Sequence, residues 1–190
     1  MLISFIACRS PKSATQAAMK LHQNQQTFWK ELQQLCNNAY EGTVIAAPAN
    51  DTVFKNKKLL MHVRACNENI IRIPFVVGSD RSRTWVLTKK TDQLLLKHDH
   101  RHVDGSADSV TMYGGYTTNS GTTTMQVFPA DLETTNLLPA AVGNVWWIEL
   151  LPGKSFTYNL RRIGTDRLFS IRFDLTKTVS PPDAPWGWKQ

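Results

Sequence analysis

The chain has 190 residues, 42% of them hydrophobic, which suffices for one well-formed core and falls short of two comfortable domains. Its 22 basic residues against 15 acidic ones give a net charge of +7, scattered through strand-like segments and not gathered into a run. Such a surface suits an anionic ligand or an anionic surface. With no zinc-finger spacing, no RNP-type aromatic strand and no helix-turn-helix pattern, no nucleic-acid partner is expected.

At the N-terminus, Met1 to Ala7 is apolar apart from Ser4 and runs straight into Cys8. The string Phe5-Ile6-Ala7-Cys8 resembles the end of a bacterial lipoprotein signal, which would make Cys8 a lipidation site and attach the protein to a membrane. The basic region that usually precedes such a signal is missing, and the alternative is a short apolar arm. Arg9 to Gln26 is rich in Gln, Ser and Ala, so residues 1–26 are assigned to a signal remnant and tether. No stretch approaches the ~20 apolar residues of a membrane-spanning helix. With Cys8 set aside, Cys36 and Cys66 form an even pair, expected as a disulfide in an oxidising compartment and as two buried thiols in a reducing one.

From Thr27 the period becomes helical, with Phe28, Leu32, Leu35 and Ala39 recurring at spacings of four, three and four. After Tyr40 it turns strand-like. Strands are predicted near 42–47, 58–66, 69–77, 82–89, 93–102, 109–115, 122–128, 145–151, 155–162 and 167–175, separated by turn sequences such as Asp104-Gly105 and Pro152-Gly153. Residues 130–140 interrupt the strands and are assigned a short helix or lid. The segment 180–190, with Pro181, Pro182 and Pro185, is expected to be an extended C-terminal strap outside the domain of residues 27–179.

Alternation along the strands favours a curved sheet with one dominant inside: Phe169, Ile171, Phe173 and Leu175 share one parity, with Leu168, Ser170, Arg172 and Asp174 on the other. Trp146-Trp147 should place one indole on each face. The prediction is a mainly β protein, a single antiparallel barrel of about ten strands with an N-terminal helix and one short helix before the last three strands. This resembles the calycin architecture of lipocalins and fatty-acid-binding proteins; the lipocalin Gly-x-Trp motif is not matched, the corresponding place reading Ala39-Tyr40-Glu41-Gly42. The strings LLMHVRAC, IRIPFVVGSDRSRTWVLT, LKHDHRHVDGS, TMYGG and FDLTK followed by PPDAPWG are similar to a family of uncharacterised bacterial envelope proteins, over roughly residues 28–188. That resemblance implies an exported protein of the bacterial cell envelope, in the periplasm, and carries no activity.

The candidate site is the run from Gln93 to Gly115. Leu94, Leu96, His98, His100 and His102 share one strand parity, so one face grades from apolar to imidazole-rich. In one reading His98, His100 and His102, with Arg81, Arg83 and Tyr113, bind the headgroup of a small amphipathic or anionic ligand while Trp85, Leu94 and Leu96 cover its apolar part. In another, His98 and His100, or His100 and His102, joined by His62 or Asp108, hold a divalent transition metal such as zinc in a metal-assisted enzyme, with Asp99 or Asp108 behind them. The third is a structural envelope protein whose barrel is filled.

Overall fold

The fold is that of a computed structural model and is described for residues 20–188; Cys8 and the signal-like segment lie outside them. Helix α1 spans Gln23–Gln33, so the polar residues assigned to the tether supply its first turn. Apolar periodicity cannot reveal a turn made of glutamines, but its cap explains it. Nδ1 of His22 accepts from Asn24 N (3.2 Å), and Oε1 of Gln25 accepts from His22 N (3.3 Å), satisfying amides that open every helix. Phe28, Trp29 and Leu32 are buried. The helix ends earlier than its apolar stripe suggests, because Asn37 adopts φ 69° and its N–H bonds Val63 O at 2.7 Å.

Eleven strands follow: β1 (Ala39–Ala46), β2 (Leu59–His62), β3 (Ala65–Cys66), β4 (Ile70–Val77), β5 (Asp80–Lys89), β6 (Leu94–His100), β7 (Tyr113–Tyr116), β8 (Met125–Pro129), β9 (Asn144–Leu151), β10 (Ser155–Arg162) and β11 (Leu168–Asp174). Helix α2 (Leu132–Leu137) and a 3-10 turn at Pro139–Ala141 precede the last three strands, in the place that the break in alternation predicts. Ten strands run in the order β7-β6-β5-β4-β2-β1-β11-β10-β9-β8, and β3 pairs with β4 beside that path. Every pairing is antiparallel. Among the described residues no helix is long and apolar enough to cross a membrane.

Two predicted strands are interrupted. Residues 58–66 split into β2 and β3 because Val63 leaves the sheet to exchange backbone bonds with Asn37 and Asn38. There the Cys36–Cys66 disulfide ties the chain after α1 to β3 (Cα–Cα 6.2 Å). Residues 109–112 fall in a loop, with Met112 at φ 57°, so β7 begins only at Tyr113.

The circuit is nearly closed where β7 approaches β8, at Gly114 and Gly115, with no ladder between the two strands among the described residues. Gly114 O accepts from Asp131 N (3.0 Å) and from the Thr134 hydroxyl (2.7 Å), which clamps α2 onto the seam. A Cβ on Gly115 would lie 1.8 Å from Pro129 O, so only glycine lets the backbones approach this closely. Lys97, buried on the outside of β6, reaches Asp131 (2.9 Å) and Glu133 (2.6 Å) and reinforces the same seam. Those carboxylates raise its pKa against the opposing effect of burial, which is the largest single influence on it.

The two ends of the barrel differ. At the end that meets α1, Phe28, Leu32, Met61, Leu87, Leu94, Leu96 and Phe156 are essentially fully buried and the interior is filled. Midway up, Trp85 of β5 stacks on Tyr158 of β10 with centroids 4.4 Å apart and planes 19° from parallel. In the ten-strand circuit β5 and β10 are diametrically opposed, with four strands between them on either side. Two large rings thus bridge the barrel and form a floor. The C-terminal strap binds outside: just before it Val179 pairs with Ala39, and within it Asp183 pairs with Arg81 (3.1 Å) and Gly187 packs against Gly105.

Candidate ligand site

Above the Trp85–Tyr158 floor the barrel is hollow, with a cavity of about 490 Å³ that opens toward the loops β1–β2, β6–β7 and β10–β11. This volume lies in the range of sites for small organic ligands. One part of the wall is aromatic. Phe54, from the β1–β2 loop, packs on Phe169 (4.4 Å between centroids) and Phe75 (5.9 Å), and Phe75 stacks on Trp85 (4.9 Å). Trp146, on β9, also lines the cavity, while Trp147, its neighbour on the other face, bonds Glu149 at 2.8 Å. A second hollow of about 460 Å³ lies behind the β1–β2 loop, against Gly42 and Val44.

The polar part of the wall follows from strand register. Trp85 sits opposite His98, and Arg83, one step nearer the mouth, sits opposite His100. His98 in turn pairs with Tyr113. Alternation sends all five side chains inward, so Arg83, His100 and Tyr113 stand above the floor on adjacent strands. Arg83 bonds Asp80 and lies over the Phe54 ring, 5.8 Å from its centroid. Across the mouth Arg162 bonds Asn144 (2.9 Å), and Arg167 lines the cavity without a carboxylate at ion-pair distance among the described residues.

His98 belongs to the floor. Its Nδ1 lies 3.0 Å from Tyr113 O, a carbonyl that can only accept, so Nδ1 carries the proton; Nε2 then accepts from the Tyr158 hydroxyl at 2.7 Å. Burial lowers its pKa to about 3, and the Tyr113 carbonyl opposes this only in part. Burial also raises Tyr113 to about 12 and Tyr158 well above the ordinary phenol range, so both stay protonated at neutral pH. His100, 3.1 Å from the Tyr113 hydroxyl through Nε2, is lowered by burial and then by Arg83.

The neutral His98 predicts an acid sensitivity. The unfolded chain binds this proton near pH 6.5 and the folded one near 3, so between those values the unfolded state holds more protons. Stability from this group is complete above pH 6.5 and falls on acidification by up to about 1.4 kcal/mol per pH unit. Urea unfolding between pH 7 and 5 should show the fall, and His98→Gln should flatten it. His62 and His100, also lowered by burial, contribute in the same sense and leave a residual slope.

The structure brings His98, His100, Arg83, Trp85 and Tyr113 together and separates the other predicted residues. His102 is exposed, because Gly105 N and Ser106 O bond its backbone and turn the chain. Arg81 shares parity with Arg83 but is held by Asp183 of the strap. Leu94 and Leu96 lie in the filled half, not in the cavity wall. The metal arrangement is corrected too: His62 is on β2, with β5 and β4 between it and β6. Both ring nitrogens of His98 are already engaged, and no cluster of three or more His, Cys, Asp or Glu side chains suited to a metal occurs among the described residues. Asp99 faces away, accepting from Arg101 Nε (2.8 Å) and Thr111 (3.2 Å), whereas Asp108 does reach the cavity.

Tyr158, Phe54, Phe75, Arg162 and Arg167 also line the cavity, and no motif in the sequence points to them. Parity places Tyr158 with Phe156 and Leu160, which is the one signal the sequence offers. Comparison with known proteins finds no matching family, no matching curated protein and no matching solved structure.

Proposed function

We propose that this protein binds a small amphipathic or anionic molecule in the upper half of its barrel, as calycin-type proteins do. The observation that carries this reading is the Trp85–Tyr158 floor: it stops the filled core at mid-height and leaves above it a hollow with an aromatic side and an Arg83–His100–Tyr113 side. A barrel serving only as a structural envelope element would gain stability from continuing the core upward, since voids forfeit packing contacts. The metal-assisted enzyme has less support, because His98 spends both nitrogens within the protein. The proposed setting is the bacterial envelope, with export to the periplasm and a lipid anchor at Cys8. The Cys36–Cys66 disulfide supports an oxidising compartment.

Titration with 8-anilinonaphthalene-1-sulfonate tests the reading. One saturable site per chain is expected, with enhanced dye emission. Leu160→Trp, which adds bulk to the cavity wall, should abolish it without lowering the melting temperature. Dye binding that never saturates, or that Leu160→Trp leaves unchanged, would contradict a site inside the barrel.

A further inference from the structure

The cavity's walls narrow the ligand class, an inference that rests on the binding function proposed above. We infer that the molecule it holds is a flat aromatic ring system carrying an oxyanion such as a carboxylate. Phe54, Phe75 and Trp85 stand in a series, with successive planes 22° and 13° from parallel and centroids 5.9 and 4.9 Å apart. These rings stack on one another, and Trp85 also on Tyr158, so the series turns its positive edges to the cavity that it lines, and such edges favour the negative face of a partner that is itself a ring. An alkyl chain would fill the same space without that directional gain. The floor also limits depth: β5 runs only five residues from Trp85 to its start at Asp80, roughly 16 Å of strand, which suits a compact ligand better than a long chain.

The oxyanion follows from the cations beside these rings. Arg83 uses one nitrogen on Asp80, which leaves further donors of its planar fork for a ligand oxygen. Because it lies over Phe54, an oxyanion bound there would sit beside the series, next to a ligand ring packed against its edges. Arg167 has no carboxylate partner among the described residues. The two carboxylates that line the mouth are turned to their own loops: Asp51 accepts from the amides of Val53, Phe54 and Lys55, and Asp108 from Val110 N and Ser109.

Calorimetric titration with three probes separates the parts of this inference: 2-naphthoate, its neutral analogue 2-naphthamide, and decanoate. Naphthoate should bind at least tenfold more tightly than either of the others, and Arg167→Gln should weaken naphthoate severalfold while leaving naphthamide unchanged. Because Arg167 is exposed, that variant should melt at the wild-type temperature, which excludes misfolding as the cause. Decanoate binding as tightly as naphthoate would overturn the aromatic ligand. Naphthamide binding as tightly, or an unaffected Arg167→Gln, would overturn the oxyanion. In both of those cases the binding function stands, whereas no binding of any probe to the folded protein would remove it together with this inference.

Discussion

Gly115→Ala is expected to open the barrel at its seam and to cost about 3 kcal/mol or more, the upper range for forcing extra volume into a packed site. The added methyl would stand 1.8 Å from Pro129 O and 3.1 Å from Asp131 N. Both are backbone atoms, so no side-chain rotation can relieve the clash. β7 and β8 must separate, and the bond from Asp131 N to Gly114 O and the Thr134 clamp are drawn into the loss. Gly153→Ala is the matched control. That glycine has φ 65°, but a Cβ added there would meet nothing within 4 Å, so the left-handed backbone alone should cost about 1–2 kcal/mol. Urea unfolding of the two variants should separate the effects, and equal losses would show that the seam is not a close approach.

Trp85→Ala should have the largest combined effect on stability and binding. Removing a nearly fully buried tryptophan costs about 3–5 kcal/mol, and four ring contacts go with it, to Tyr158, Phe75, Phe156 and Phe173. The expected value lies toward the lower end, because part of the indole rim lines the hollow. The functional consequence is distinct. Without the indole the upper cavity extends down into the volume the ring vacates beside Phe156, and a ligand bound as proposed would lose the surface beneath it. Trp85→Phe keeps a ring and should recover most of the stability while restoring binding only in part. Trp85→Ala that melts near the wild-type temperature and binds dye normally would show that the ring does not form a floor.

Much of the barrel is legible from two-residue alternation. The parity of Phe169, Ile171 and Phe173 sets the inner face of β11, and Trp146-Trp147 divides between inside and outside as that rule requires. Turn sequences locate the strand ends to within a few residues, except where bonds from distant parts of the chain intervene. Val63 leaves its strand to bond the turn after α1, and residues 109–112 become a loop whose Thr111 hydroxyl accepts from His100 N.

The site is only half legible, for a geometrical reason. Parity tells which face a side chain occupies but not how high in the barrel it lies or what it meets across the diameter. Leu94, Leu96, His98 and His100 therefore read as one continuous wall, although the floor divides the first two from the cavity and absorbs the third. Tyr158, which completes that floor, lies 60 residues from His98 and carries no local mark of its partnership. Arg81 reads as a companion of Arg83 because nothing near it in sequence foretells Asp183. His102 continues the alternation on paper, but the turn closed by Ser106 ends the strand at His100.

A crystal structure of the protein with 8-anilinonaphthalene-1-sulfonate bound would decide whether the barrel is closed by a floor at mid-height and takes a ligand above it. Density for the dye is expected between Phe54, Trp85 and Trp146, its sulfonate directed toward Arg83 or Arg167, with unbroken side-chain packing below Tyr158. Dye found in the hollow behind the β1–β2 loop or on the outer surface, with the upper cavity collapsed and filled by side chains, would contradict both the floor and the site.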